Sequence, residues 1–362
     1  MQQASEIYKA LNHFNYFLSL ERLGEMHQDK GEIQAAFQYF SQYHGFMKNL
    51  AAQYPDYLLY QNNLATSYQH LGNIYNAVGQ LENALAAWLE FQKIFLQLTQ
   101  KEPNNVGFQD NLAIASQYLG VFYTNQGNYS QALTFFEQYY KVKKELYHKQ
   151  PSSANAQKGL ATACAKLGEV YTLLQNHTQA LLFYEDYLQI MQKLTFEYPH
   201  QVEFKHHLAI AHQLKGNIYF AEDNFLLAFD CFYAYFCLEK ELITNFPDNI
   251  SYKSSFAIAC SKLGAYYYSQ GNLQEALSYL TLYHHSRKEL HELQPQNPAY
   301  AHSLAISYAQ LGVLYKELEE LENTLAYFVE AQKLWTALYE NTQAPKYKEH
   351  LEQVNNDIRN LT

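Results

Sequence analysis

The residues with most capacity for chemistry in this chain are its 15 histidines and 4 cysteines. His206, His207 and His212 form one dense group of imidazoles, and His284, His285 and His291 form another. His284 and His291 stand two helical turns apart, so one face of a helix can carry both. A metal site needs three or four ligands held together, and no Asp, Glu or Cys completes either group at a ligand spacing. These imidazoles are therefore expected on exposed helix surfaces. Cys164, Cys231, Cys237 and Cys260 contain no C-x-x-C pair, which reads as reduced, buried thiols of a cytoplasmic protein rather than a disulfide framework. Phosphate loops, H-E-x-x-H, G-x-S-x-G and EF-hand spacings are absent from the sequence. The expectation is a chain with no catalytic residues, no metal and no cofactor, hence not an enzyme.

Bulk composition narrows the partners. The 362 residues carry a net charge of −10, with 25 Lys and Arg together. Nucleic acid needs a basic face, so it is not expected as a partner. No apolar run approaches the ~18 residues of a membrane span, and the N-terminus lacks a signal-peptide pattern; no membrane association is expected. Sequons at Asn128, Asn176, Asn249 and Asn360 are read as chance. Tyrosine is abundant, 34 against 2 tryptophans, which suits half-buried helix faces where the ring packs and the hydroxyl stays wet.

The elements that must position any site are written in two ladders. Gly24, Gly72, Gly120, Gly168, Gly216, Gly264 and Gly312 stand 48 residues apart, and Pro55, Pro103, Pro151, Pro199, Pro247 and Pro295 keep the same spacing. Each glycine lies in an apolar-periodic stretch such as Leu112, Ala113, Leu119, Gly120, Tyr123, which predicts a helix. A mid-helix glycine costs about 1 kcal/mol relative to alanine. Seven in register imply that another helix comes too close for a Cβ. Seven residues later Gly31, Gly79, Gly127 and Gly271, or Gln175, Asp223 and Glu319, mark a left-handed helix end. Asn128, Asn176 and Asn272 then read as N-caps with Gln or Glu three residues on, a capping-box pattern. A second helix follows with Ala132 and Phe136 and their equivalents, and with a leucine row from Leu50 through Leu146 and Leu194 to Leu338. The proline five residues later stops it.

Leu119, Gly120, Tyr123, Gly127, Ala132 and Phe136 carry a pattern that resembles the tetratricopeptide repeat, and it recurs along essentially the whole chain. The family's period is about 34; the longer one here adds about two turns to each helix. The resemblance implies an all-α, right-handed superhelical solenoid of antiparallel helix pairs. Its repeats would span roughly 1–55, 56–103, 104–151, 152–199, 200–247, 248–295 and 296–343, with 344–362 as a C-terminal capping helix. Where the family has a small residue, Tyr43, Phe91, Tyr139, Tyr187, Tyr235 and Tyr283 stand here, so looser or differently angled packing is expected.

In that family the first helices line an inner groove and their non-packing residues meet the ligand. The matching positions lie three and two before, and one, four and five after, each repeat glycine. Those singled out are Gln69, Asn73, Asn76, Gln117, Tyr118, Asn125, Lys166, Glu169, Gln213, Asn217, Phe220, Lys262 and Tyr268. Amides can pair with peptide N–H and C=O groups, and the aromatics can anchor apolar side chains. Tyr118 and Phe220 are expected to lie off the packing stripe. Only Asn73 and Lys166 match the family's carboxylate clamp, so recognition of a chaperone tail is not implied. The expected function is a non-catalytic scaffold for a protein or peptide partner. The alternative is a regulator that senses a small ligand or signalling peptide and changes superhelix pitch. The apolar run Tyr16, Phe17, Leu18, Leu20 offers a competing face, for self-association or a missing domain, unless residues before Leu11 fold back over it.

Overall fold

Each ladder glycine lies inside a first helix, and each ladder proline stands two residues beyond the end of a second. The structure, a computed structural model, describes residues 2–361, with side chains from residue 16 onward. Those residues form fifteen α-helices and no strand: α1 (Gln2–Asp29), α2 (Ile33–Gln53), α3 (Leu58–Ala77), α4 (Leu81–Lys101), α5 (Val106–Asn125), α6 (Tyr129–Lys149), α7 (Ala154–Leu173), α8 (His177–Glu197), α9 (Val202–Ala221), α10 (Phe225–Asn245), α11 (Ile250–Ser269), α12 (Leu273–Leu293), α13 (Pro298–Glu317), α14 (Leu321–Thr342) and α15 (Pro345–Arg359). The odd-numbered helices from α3 to α13 begin at Leu58, Val106, Ala154, Val202, Ile250 and Pro298, the spacing of the glycine ladder. The chain divides into two compact units, Met1–Phe183 and Tyr184–Thr362.

The turn inside each pair is the one the sequence expects. Gly31, Gly79, Gly127 and Gly271 have φ of 72–75°, and Gln175, Asp223 and Glu319 take the same left-handed backbone with φ of 56–61°. The residue after each donates its N–H back to the carbonyl of the aromatic ladder, as in Asn128 to Tyr123 at 2.9 Å and Asn272 to Tyr267 at 2.9 Å. This is the double closure that satisfies orphan carbonyls at a helix end. Asn128 and Asn176 accept from the N–H groups of Gln131 and Gln179, both at 3.2 Å. Asn272 makes no such side-chain bond, so that expected cap is not formed. The first helices carry caps that were not anticipated: Asn105, Ser153, Asn249 and Asn297 all bond a backbone N–H of the first turn. At the far end of each second helix the leucine-row carbonyl takes the last bond, for example from Glu102 to Leu98 at 2.9 Å and from Tyr198 to Leu194 at 2.9 Å. The proline that follows has no N–H to continue.

Packing explains the invariant glycines. A Cβ built on Gly24, Gly72, Gly120, Gly216, Gly264 or Gly312 would lie 2.5–2.7 Å from Phe40, Trp88, Phe136, Phe232, Leu280 or Phe328 respectively. It is the aromatic or leucine of the second helix, sixteen residues on, that fills the space. The leucine row is buried from Leu98 to Leu338, with Leu194 and Leu290 fully enclosed, and only Leu50 is half-buried. Each such side chain contributes about 1.5–3 kcal/mol by burial. The bulky tyrosines are buried too, and three reach the next first helix: Tyr187 to His207 at 3.0 Å, Tyr235 to the carbonyl of Ser255 at 3.0 Å, and Tyr283 to that of Ser303 at 3.4 Å.

The same packing takes up part of the apolar run of α1 and leaves Leu18 half-buried. Phe17 and Leu20 are buried against Tyr43 and Met47. They belong to the core of the first unit, because a helix stripe with period 3.6 turns them inward. Tyr16 stays exposed, edge-on to Phe46 at 5.5 Å. The residues before Leu11, expected to fold back, instead continue α1, which runs unbroken from Gln2 to Asp29; the side chains before residue 16 lie outside the described residues. Helix α15 closes the second unit, with Tyr347 and Val354 buried against Trp335 and Phe328.

Candidate functional site

In the first unit the first helices α1, α3 and α5 bring predicted residues together by a simple register. The residue two before a repeat glycine meets the residues three before and one after the preceding one. Tyr118 obeys it: its hydroxyl accepts from Gln69 Nε2 at 3.2 Å and Asn73 Nδ2 at 3.4 Å. Asn73 Oδ1 in turn accepts from Trp88 Nε1 at 3.2 Å, and the Trp88 ring stacks on Tyr118 with centroids 5.5 Å apart. Tyr118 therefore does lie on a packing surface, contrary to the sequence expectation, because Trp88 projects across the glycine gap onto it. The same register places His70 Nε2 at 3.2 Å from Glu21 Oε1, with Glu25 close enough that one ligand atom from each lies within 4.8 Å of the others. Glu21, Glu25 and Trp88 were missed; Glu21 and Glu25 occupy the same two positions of the first repeat, so the register itself was the signal. Three donors of this kind are within the number that holds a divalent cation; as they stand, His70 and Glu21 share a hydrogen-bonding contact beside Glu25.

The remaining residues of this unit are less engaged. Asn76 and Asn125 are exposed and Gln117 is half-buried. Lys166 and Glu169 bond each other at 2.8 Å, so the two charges largely cancel.

In the second unit Gln213 and Asn217 are half-buried on α9. Asn217 Oδ1 is buried and accepts no hydrogen bond from the chain. Its counterpart Asn73 is served by Trp88, but the equivalent residue here is Phe232, which has no N–H to give. Phe220 packs on Phe225 and Phe232 at 5.7 and 6.0 Å, so it too belongs partly to the core rather than off the packing stripe. Lys262 is half-buried, and burial pushes its ammonium below the usual lysine range. Tyr268 is exposed, its phenol held up by burial and by Glu317. It lines a cavity of about 380 Å³ with Ile306, Gln310, Val313, Trp335 and His350.

The imidazoles are not the exposed surface groups the spacing suggested. His206 Nδ1 lies 2.8 Å from Oε1 of the fully buried Glu239, whose carboxyl is pushed up by burial against the pull of that bond. His284 Nδ1 lies 2.9 Å from Ser307 Oγ, and His44 makes the matching contact to Ser67 at 2.9 Å. Each serine donates onward to a carbonyl, Leu304 or Leu64, so the imidazole is the donor to the serine. Burial lowers the His284 pKa to about 4. His285 is exposed, beside Glu289 at 2.9 Å. Period-3.6 geometry turns most of these rings into the gap between helices, which a count of spacings does not capture. Of the cysteines, Cys164, Cys231 and Cys260 are buried as expected, and Cys237 is exposed on α10. Burial pushes Cys231 up to about 11 and Cys260 up to about 12, which keeps both thiols protonated. Among the described residues, no helix is long and apolar enough to cross a membrane.

Against known proteins, the sequence profile of the tetratricopeptide repeat matches residues 256–289. No curated protein matches the sequence. Among solved structures, BtubC from P. vanneervenii is 18% identical, with a TM-score of 0.56 over 71% of this chain and 92% of that one. The apo form of the quorum sensor NprR from B. thuringiensis is 15% identical, with a TM-score of 0.56 over 99% of this chain and 93% of that one. A signal-transduction ATPase with a tetratricopeptide repeat sensor, from Pyrococcus horikoshii, is 15% identical at a TM-score of 0.56. This chain matches it over 98% of its own length and 50% of the ATPase. At these identities the likeness is one of fold.

Proposed function

We propose that this tetratricopeptide-repeat protein is a non-catalytic scaffold that binds a protein or peptide partner through the faces presented by the first helix of each repeat. The observation that carries the reading is a pair of first-helix amides, Asn217 and Gln310, whose Oδ1 and Oε1 atoms are buried and accept nothing from the chain. Buried side-chain acceptors are nearly always bonded, and both stand at positions the packing does not require for helix formation. Both residues are half-buried, so a rotation of either amide can bring its oxygen to a donor-bearing ligand such as a peptide backbone. Gln213 on the same helix as Asn217 is placed to add a second bond, and the exposed Tyr268 an apolar contact. Repeat arrays commonly bind on one such extended surface.

The test is selection of peptides from a random display library against the full chain. Selected peptides are expected to lose roughly tenfold or more in affinity, about 1.4 kcal/mol, when Gln213 and Asn217 are both changed to Ala. Failure to select any peptide, or affinity unmoved by the double substitution, overturns the reading. The fold shared with a quorum sensor and with a tetratricopeptide repeat sensor favours a second reading, a regulator that senses a small ligand or signalling peptide. A small molecule that raises the melting temperature in the absence of any selectable peptide would favour it over the scaffold.

A further inference from the structure

The second unit contains a cavity that the repeat pattern by itself does not call for. It lies where α11 and α13 meet the closing helix α15, measures about 380 Å³ and is almost wholly apolar, with walls from Ala265, Tyr268, Ile306, Val313 and Trp335. Ligand sites run from about 300 to 1,000 Å³, mostly apolar with a few placed polar groups. At the small end of that range, the space suits one large side chain rather than a whole peptide.

The polar groups around it include several acceptors. Gln310 lines the cavity and its buried Oε1 has no donor in the chain. Gln353 gives its Nε2 to both carboxylate oxygens of Asp357, at 3.3 and 3.2 Å, which leaves its own Oε1 and the remaining carboxylate lone pairs as acceptors. His350 closes the wall by stacking on Trp335, with centroids 4.9 Å apart and planes 10° apart. A carboxylate at the rim of an apolar space attracts a cation more strongly than it would in open water.

The geometry points to a subsite for a single large apolar side chain, aromatic or branched aliphatic, of a partner peptide that carries Lys or Arg beside it. This rests on the scaffold reading and names the partner chemistry at one end of that face. The apolar side chain fills the cavity, Gln310 turns its Oε1 to a donor beside it, and the neighbouring cation meets Asp357.

The test uses the full chain with acetyl-Phe-Arg-amide, acetyl-Phe-Glu-amide and acetyl-Gly-Arg-amide as probes. The readout is Trp335 emission, with Trp88 of the first unit as a constant background. Acetyl-Phe-Arg-amide is expected to give a saturable change at concentrations roughly tenfold lower than the other two, about 1.4 kcal/mol. Ala265→Phe places a ring in the cavity from an exposed position, and an unchanged melting temperature would show the fold intact; it is expected to abolish the response. Gln310→Leu is expected to weaken it severalfold. No saturable response to acetyl-Phe-Arg-amide, an equal response to acetyl-Phe-Glu-amide, or an unaltered response in Ala265→Phe overturns the subsite. Library-selected peptides that depend on Gln213 and Asn217 but ignore Ala265→Phe would keep the scaffold reading and reject this one.

Discussion

Replacing Gly72 with Ala tests the packing on which the first unit and its candidate site both depend. An ideal Cβ at this position would lie 2.5 Å from Trp88 Nε1, 2.6 Å from Cδ1 and 3.0 Å from Cε2. The indole has little room to retreat, being buried, bonded through Nε1 to Asn73 and stacked on Tyr118. Overpacking of this kind costs about 1–3 kcal/mol, and loss of the Trp88–Asn73 bond adds about 0.5–1.5 kcal/mol. Removing a mid-helix glycine returns about 1 kcal/mol. The net expectation is a destabilisation of about 0.5–3.5 kcal/mol. Urea unfolding followed by Trp88 emission in a Trp335→Phe background reads the first unit alone. Repeat arrays depart from two-state behaviour, so amide exchange in α3 and α4 should accompany it. Gly79→Ala is the control: its site is open but φ is +75°, so it should cost about 1–2 kcal/mol through backbone strain without altering native Trp88 emission. If Gly72→Ala unfolds at or above the parental midpoint with unchanged emission, close approach is not the reason for the glycine ladder.

Four further outcomes are expected. Leu194→Ala, at a fully buried position, should cost about 2–5 kcal/mol by denaturant unfolding. Tyr118→Phe should keep the stack on Trp88 and lose only the bonds from Gln69 and Asn73, costing about 0.5–1.5 kcal/mol, whereas Tyr118→Ala should cost measurably more; equal costs would mean the stack contributes nothing. Phe232→Trp should supply the donor that Asn217 Oδ1 lacks, and a melting temperature lowered by several degrees would show that the geometry around Asn73 does not transfer to this repeat. Acidification should destabilise the fold through His284: its folded pKa, about 4, lies below the unfolded value near 6.5. Its contribution is complete above pH ~6.5 and is lost as pH falls towards 4, where both states are protonated. Gln92, at the same repeat position as His284, bonds Ser116 at 3.3 Å, one residue beyond the place of the matching serine, so His284→Gln keeps a hydrogen-bonding side chain in the gap that does not titrate; melting temperatures from pH 7.5 to 4.5 should fall less steeply in the variant than in the parent.

Much of the local architecture could be read from the sequence because it is set by short-range chemistry. A left-handed backbone at Gly127 and at its non-glycine equivalents Gln175, Asp223 and Glu319, a stop after Leu194, and burial of the leucine row all follow from which residues tolerate a turn and which repeat at helical period. The glycine ladder announced a close approach for the same reason. What the sequence could not supply is what stands on the other side of each gap. The meeting of Gln69 and Asn73 with Tyr118 joins residues 45 or more positions apart. Whether Tyr118 is a free anchor or a stacked wall depends on Trp88 rather than on its own position. The orphaned oxygen of Asn217 arises because Phe232 stands where the other repeat has a tryptophan, and that matters only once the two helices are in contact. Likewise the imidazoles share a spacing that suits an exposed face, yet His206 and His284 turn into interhelix gaps to reach Glu239 and Ser307. The cavity beside Gln310 needs walls from α11, α12, α13, α14 and α15 at once. Helix periodicity fixes the face on which a side chain lies; only the packing of one helix on the next decides whether that face meets solvent, a partner in the chain, or an empty space shaped for something else.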